Sequence, residues 1–242
     1  MFSASVYKKD LSQFFGNLTG YIVIALFSLV IGLLLFVLDD FNMLQQGYAD
    51  LNSFFDLAPW VMAFLTSAIS MRTFTDEFRW GTMDLLKTLP ITRTQLVFSK
   101  FLFVLTTIIL ALIPSVFYVI TVSFYSSNGH IDIGALLGSY TGLLLMSACF
   151  ASIGIFFSSL TQNMVASFFL SLIACLLLYY GFNALSRLPV FSGGLDYYLD
   201  MAGIDFHYRN MSRGVLDSRD IFYCLSLTVL FLHYTRKKLN AA

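Results

Sequence analysis

Side chains able to bind or donate are scarce in this sequence, and most collect in two stretches. The first reads Thr75-Asp76-Glu77-Phe78-Arg79-Trp80-Gly81-Thr82-Met83-Asp84-Leu85-Leu86-Lys87-Thr88-Leu89-Pro90-Ile91-Thr92-Arg93-Thr94-Gln95, with Lys100 just beyond. Its chemistry is recognition rather than catalysis. Glu77 and Arg79 carry charge for docking to polar groups. Thr82, Leu85, Leu86 and Leu89 share one face of a short helix, and Asp84, Lys87 and Thr88 the other. Pro90 stops that helix. Thr92, followed three residues later by Gln95, is a capping box that starts the next. The result is an amphipathic elbow able to pass a push from a soluble partner into two flanking helices. The pattern alone fits equally an ordinary linker held against a bilayer by Trp80 and the leucines, with Glu77 only capping the following helix.

The second stretch, Asn183 to Asp220, carries Arg187, Arg209, Arg213 and Arg219. It is too long for a bare connection and includes Tyr197, Tyr198, Leu199 and Phe206, so short helices at a membrane interface are expected, with a turn at Gly193-Gly194. The remaining reactive types are dispersed. Cys149, Cys175 and Cys224 each sit in an apolar run without a CxxC pair and read as small core residues. His130, His207 and His233 are far apart and read as solvated or interfacial. Met83, Met146, Met164, Met201 and Met211 form no ladder, so no metal is assigned.

The chain cannot hydrolyse nucleotide by the GxxxxGK[ST] route, because none of Lys8, Lys9, Lys87, Lys100, Lys237 and Lys238 follows a glycine. No cofactor is expected on it. Any ATP and Mg would be held by a separate ATPase.

The elements that must position these stretches are membrane spans. Of 242 residues 58% are hydrophobic and only 12% charged, against about a quarter charged in water-soluble chains; the mean hydropathy is +0.78. Zero net charge argues against a nucleic-acid partner. Six apolar runs are long enough to span: 21–38, 58–74, 101–124, 133–157, 164–182 and 221–234. The last is the weakest and depends on its flanks, Val215-Leu216 and Arg236-Lys237-Lys238. The first is followed by Asp39-Asp40 rather than a small-residue cleavage site, and reads as a retained anchor.

Six crossings place both termini on one side. That side holds Lys8, Lys9, Arg72, Arg79, Lys87, Arg93, Lys100, Arg236, Lys237 and Lys238, ten of the fourteen basic residues, and is expected to be cytoplasmic. All charges can be placed outside the six runs, so neither a gradient-driven transporter nor an intramembrane protease is indicated. Gly134, Gly138 and Gly142 form a small-xxx-small ridge in the fourth run. It admits a seam with a second subunit or an intrachain contact, the latter favoured two to one. Pro114 marks a kink in the third run.

The order Glu77, Gly81-Thr82, Leu85-Leu86, Leu89-Pro90 and Lys100 resembles the signature between the second and third spans of ABC-2 type transporter permeases. Within that class the chain is most similar to the permease subunit of gliding-motility-associated ABC transporters. Arg213-Gly214-Val215-Leu216-Asp217-Ser218-Arg219-Asp220 and the aromatic start of the sixth run resemble that family's external loop and last helix.

The resemblance implies an exporter subunit of the bacterial inner membrane that pairs with a second permease, identical or different, and binds an ABC ATPase. It makes Glu77, Arg79, Gly81, Thr82, Leu85, Leu86, Leu89 and Pro90 the ATPase-coupling residues. It makes the segment around Tyr7 to Phe15 an interfacial elbow helix, and Asn183 to Asp220 an external gate that includes Arg213, Gly214, Asp217 and Asp220. The expected architecture is all-α: one transmembrane domain over 1–242, with six spans, an N-terminal interfacial helix and an amphipathic cytoplasmic coupling helix. A rival reading is a non-transporting scaffold that anchors a secretion or motility machine.

Overall fold

The computed structural model describes residues 3–36, 51–83, 86, 90–125, 132–189 and 194–241. Among them the regular structure is helical throughout. An N-terminal helix α1 (Ala4–Phe15) precedes α2 (Leu18–Phe36); α3 (Asn52–Ser70) continues through Met71 into α4 (Arg72–Arg79). Thr82, Met83 and Leu86 are also helical; beyond them α5 (Arg93–Leu112) is joined to α6 (Val116–Tyr125) by a 3-10 turn over Ile113–Ser115. Pro114 sits in that turn, where its missing N–H interrupts the helical ladder.

Then follow α7 (Ile133–Ser158) and α8 (Met164–Leu176), which runs through a π turn at Leu177–Gly181 into α9 (Phe182–Ser186). Two short helices, α10 (Leu195–Met201) and α11 (Ile204–Met211), lead into α12 (Ser218–Ala241).

The starts are written into the sequence. Thr92 and Gln95 form the expected capping box on α5. Asp132 accepts from the N–H groups of Gly134 and Ala135 to start α7, and Asn163 does the same for α8 through Val165 and Ala166.

The polarity of the interior is that of a protein dissolved in lipid. Thr66, Ser67, Thr107, Ser147, Ser152 and Ser158 are buried, whereas Leu26, Leu29, Phe117, Phe169 and Val229 face outward. Lipid offers no hydrophobic drive between helices, so close contact falls to small and hydroxyl residues. Many of the hydroxyls are satisfied within their own helix: Thr66 donates to the Met62 carbonyl at 2.8 Å and Ser147 to that of Leu143 at 2.7 Å. At the α3–α7 crossing, a Cβ on Gly154 would stand 2.0 Å from Ser70 Oγ.

Five helical segments are long and apolar enough to cross a membrane: Leu18–Phe36, Asn52–Arg79, Arg93–Phe124, Ile133–Ser158 and Met164–Ser186. They contain the second to fifth runs predicted from sequence in full and residues 21–36 of the first, whose last two residues lie outside the described residues. The sixth lies in α12, where charged residues at both ends dilute the hydropathy.

Contacts at its two ends nevertheless show that α12 runs the height of the bundle. Near its C-terminus the Leu239 carbonyl accepts from Arg93 at the start of α5. At the other end Asp220 is bonded to His207 of α11, and the α11–α12 connection packs at Gly214 against Ala135, near the start of α7. Ser3 donates to Ser99, so the N-terminus also meets the first turns of α5. The described residues nearest the two termini therefore lie at one end of the bundle.

Candidate functional site: a buried charge cluster beneath the coupling segment

At the end that holds both termini, α1, α4 and α5 converge. Two bonds seat α1 on α5: Ser3 N–H to Ser99 Oγ at 3.0 Å, and Tyr7 OH to Thr106 Oγ1 at 3.1 Å. Lys100, in the second turn of α5, is only 1% exposed. Its ammonium donates to the Thr73 carbonyl, reaches Asp10 Oδ2 of α1 at 3.3 Å, and ion-pairs with Glu77 Oε1 of α4 at 3.0 Å. The Phe74 ring lies 5.1 Å from it. Lys9 approaches Glu77 from the solvent side at 3.6 Å.

An ammonium has three protons, and here three acceptors surround it. The three helices are therefore locked through one desolvated cation.

Beside the cluster opens a cavity of about 280 Å³, lined by residues that include Lys9, Asp10, Gln13, Arg72, Asp76, Glu77, Trp80 and Lys100. Within it Glu77 Oε2 and Asp76 Oδ1 are buried without a hydrogen-bond partner among the described residues.

The coupling residues predicted from sequence spread outward from this cluster. Glu77 was expected to dock polar groups of a partner. Instead it is 6% exposed and engaged inside the chain, where Lys100 and Lys9 pair with it. Its carboxylate accepts no backbone N–H among the described residues. Trp80 N–H closes back on the Asp76 carbonyl at 2.9 Å, and Gly81 turns the chain at φ +67°, a left-handed conformation that favours glycine.

Arg79 and Trp80 are exposed and stacked, the guanidinium 5.9 Å from the ring centroid. Thr82 Oγ donates to the Glu77 carbonyl at 3.4 Å. Met83 is buried, and with the half-buried Leu86 it lines a small cavity shared with Ile91, Arg93 and Leu96. Pro90 is exposed. Leu85 and Leu89 lie outside the described residues, as do Asp84, Lys87 and Thr88 on the opposite face.

The other end of the bundle is closed by a cap formed from α10, α11 and the loop to α12. His207, expected to be solvated or interfacial, is buried: its Nδ1 is 2.6 Å from Asp220 Oδ1, its Nε2 3.0 Å from the Met201 carbonyl, and its ring stacks on Tyr223 at 3.9 Å. His233 is exposed, and His130 lies outside the described residues.

Further bonds tie the cap to the bundle. Tyr208 OH donates to the Phe55 carbonyl at 2.9 Å and Ser139 Oγ to that of Ser212 at 2.8 Å. Arg209 reaches both Asp200 and Asp205 at 3.1 Å. Burial raises the Asp205 carboxyl above its ordinary range, against the opposing pull of Arg209. Of the remaining gate residues, Arg213 is exposed, and Asp217 accepts from the Arg219 N–H at the start of α12.

The glycine ridge is an intrachain seat for this cap. A Cβ on Gly138 would stand 2.5 Å from the Gly214 carbonyl oxygen, and one on Gly142 would stand 2.4 Å from Met211 Cβ. Gly134, at the exposed start of α7, meets only the Asp132 carboxylate. Gly214 itself has φ +83° and leaves no room for a side chain against Ala135.

Among the described residues no group of three or more His, Cys, Asp or Glu is placed to hold a metal. What the cluster shows is a fastening, in which one buried ammonium ties α1, α4 and α5 together.

Residues 18–178 match the family model described as "ABC-2 family transporter protein". The chain belongs to the ABC-2 transporter family. No curated protein matches it. The family supplies the transmembrane, non-catalytic component of an ABC transporter and normally works with an ABC ATPase. The matched ABC-2 region contains Glu77, Lys100, the elbow and the glycine ridge; it leaves out α1, the cap and α12.

Proposed function

We propose that this chain is the permease subunit of an ATP-driven exporter, in which residues 79–90 receive a separate ABC ATPase. The Glu77–Lys100–Asp10 cluster then carries its movement into α1, α4 and α5. The observation behind this reading is the 3.0 Å Glu77–Lys100 contact at the root of the elbow. A mere linker has no use for a buried charge pair, which in general stabilises little beyond what apolar side chains would. Nucleotide binding would close the ATPase dimer, press on the elbow, and tilt three fastened helices together.

In this reading α12 completes six crossings, and the excess of basic residues on the segments at the shared end of the termini supports a cytoplasmic side in a bacterial inner membrane. A second permease, identical or different, forms the other wall of the pathway. An apolar or amphiphilic cargo suits the wholly apolar cavity of about 460 Å³ between α2, α3 and α8, lined by Leu26, Phe27, Trp60, Phe64 and Phe168 among others. The link to gliding motility rests on the resemblance of Arg213 to Asp220 and the following helix. The cap over residues 195–217 acts as the external gate.

The test is co-purification of the ABC ATPase with the chain in lipid nanodiscs, comparing wild type with Leu85→Asp and Leu86→Asp. Loss of association or of stimulated hydrolysis supports the permease. An ATPase that never co-purifies would instead support the scaffold, which needs no coupling elbow.

A further inference from the structure

The cavity beside Lys100 is lined by three cations, Lys9, Arg72 and Lys100, and three carboxylates, Asp10, Asp76 and Glu77. Their charges cancel, but their hydrogen bonds do not. Lys100 is saturated by Thr73, Asp10 and Glu77 Oε1, which leaves buried Glu77 Oε2 and Asp76 Oδ1 without a donor. Such a pair of acceptors is costly to leave unmet, the more so when charged. They call for an incoming cation that carries its own protons. At the same wall the exposed Arg72 and Lys9 offer donors to an anion.

A ligand that is both ammonium and phosphate fits this sidedness. The position of the cavity narrows the choice further. Thr19, in the first turn of α2, bounds it. The cavity therefore lies level with the start of the first span, where lipid headgroups sit. Phe14, Phe103 and the exposed Trp80 supply apolar surface at the same level. The volume, about 280 Å³, lies at the bottom of the range for small-molecule pockets. It suits a headgroup rather than a whole lipid.

We propose that the cavity binds the headgroup of a phosphatidylethanolamine-class lipid from the leaflet at the termini end, with its primary ammonium on Asp76 and Glu77 and its phosphate on Arg72 and Lys9. The lipid occupies the angle between α1 and α4 and wedges against the root of the elbow. The site stands whether or not an ATPase binds, because every residue that forms it belongs to this chain.

The test uses the full chain, delipidated and then exposed to nanodiscs of phosphatidylethanolamine, phosphatidylcholine or phosphatidylglycerol with identical acyl chains, with retained lipid read by native mass spectrometry. Wild type should retain phosphatidylethanolamine about tenfold over phosphatidylcholine, whose methylated ammonium has no N–H to donate. Asp76→Asn should abolish that preference. Arg72→Gln, at an exposed position that spares the fold, should weaken phosphatidylethanolamine and phosphatidylcholine alike.

Soluble phosphoethanolamine should compete only weakly, which separates a lipid site from one for a free metabolite. Equal retention of the ethanolamine and choline lipids would overturn the proposal. So would a preference for phosphatidylglycerol, which marks a phosphate-only site, or an Asp76→Asn variant that selects as wild type does.

Discussion

Glu77 on α4 and Lys100 on α5 meet at 3.0 Å in a site from which both are almost wholly withdrawn from solvent. The ion pair therefore ties α4 to α5 across the connection between them, and Asp10, on the same ammonium, joins α1 to both. Under the proposed function, force applied to that connection would be met at its base.

Lys100→Met leaves Asp10 and Glu77 buried without their common counterion and should cost about 3–5 kcal/mol, as unpaired buried charges do. The double variant Lys100→Met/Glu77→Leu removes the stranded charge on α4 and should recover part of the loss. Thermal unfolding in nanodiscs compares them. A double variant as unstable as the sum of the two single variants would show that Glu77 and Lys100 do not depend on each other.

At the opposite end, Gly142→Ala places a methyl group 2.4 Å from Met211 Cβ, and Gly138→Ala places one 2.5 Å from the Gly214 carbonyl oxygen. Each should destabilise the chain by about 1–3 kcal/mol through overpacking and loosen the cap. Gly134→Ala meets only the Asp132 carboxylate at 3.2 Å and should be close to neutral. Hydrogen exchange over residues 195–217 reads the difference. Equal effects at all three positions would count against a cap seated on Gly138 and Gly142.

Asp205 should make cap stability depend on pH in a definite direction. Burial raises its folded-state pKa above the unfolded value, with Arg209 opposing, so the protonated form is favoured in the fold. The stabilisation is complete below the unfolded carboxylate range, near pH 4, and is lost as pH rises through the folded pKa. Asp205→Asn should flatten this slope in a proteolysis assay of the cap. A wild-type cap that grows more stable across that rise would reverse the sign.

The helical elements were largely legible in the sequence, because their signals are local. The Thr92/Gln95 capping box, Pro114 at the break between α5 and α6, and five long apolar runs each depend on neighbours a few residues apart. The glycine spacing in α7 identified a packing ridge, but not that its partner would be the loop at Gly214.

Glu77 was legible as important and misread in its direction. Its placement depends on Lys100, whose ammonium also gathers Asp10 from the distant α1, and no local pattern encodes that meeting. Assigning every charge to a solvated flank also hid the burial of Lys100 and His207. A single basic residue one turn inside a helix end reads as a flank until the helices around it are known.

The most direct measurement of the central claim is ATP hydrolysis by the co-purified ATPase with the Lys100→Met/Glu77→Leu chain, beside Leu86→Asp, in nanodiscs. If the cluster transmits what the elbow receives, the double variant should bind the ATPase as wild type does but no longer alter its hydrolysis rate, whereas Leu86→Asp should fail to bind. A folded double variant that both binds and stimulates like wild type would contradict the claim, and would reduce the Glu77–Lys100 pair to a structural fastening.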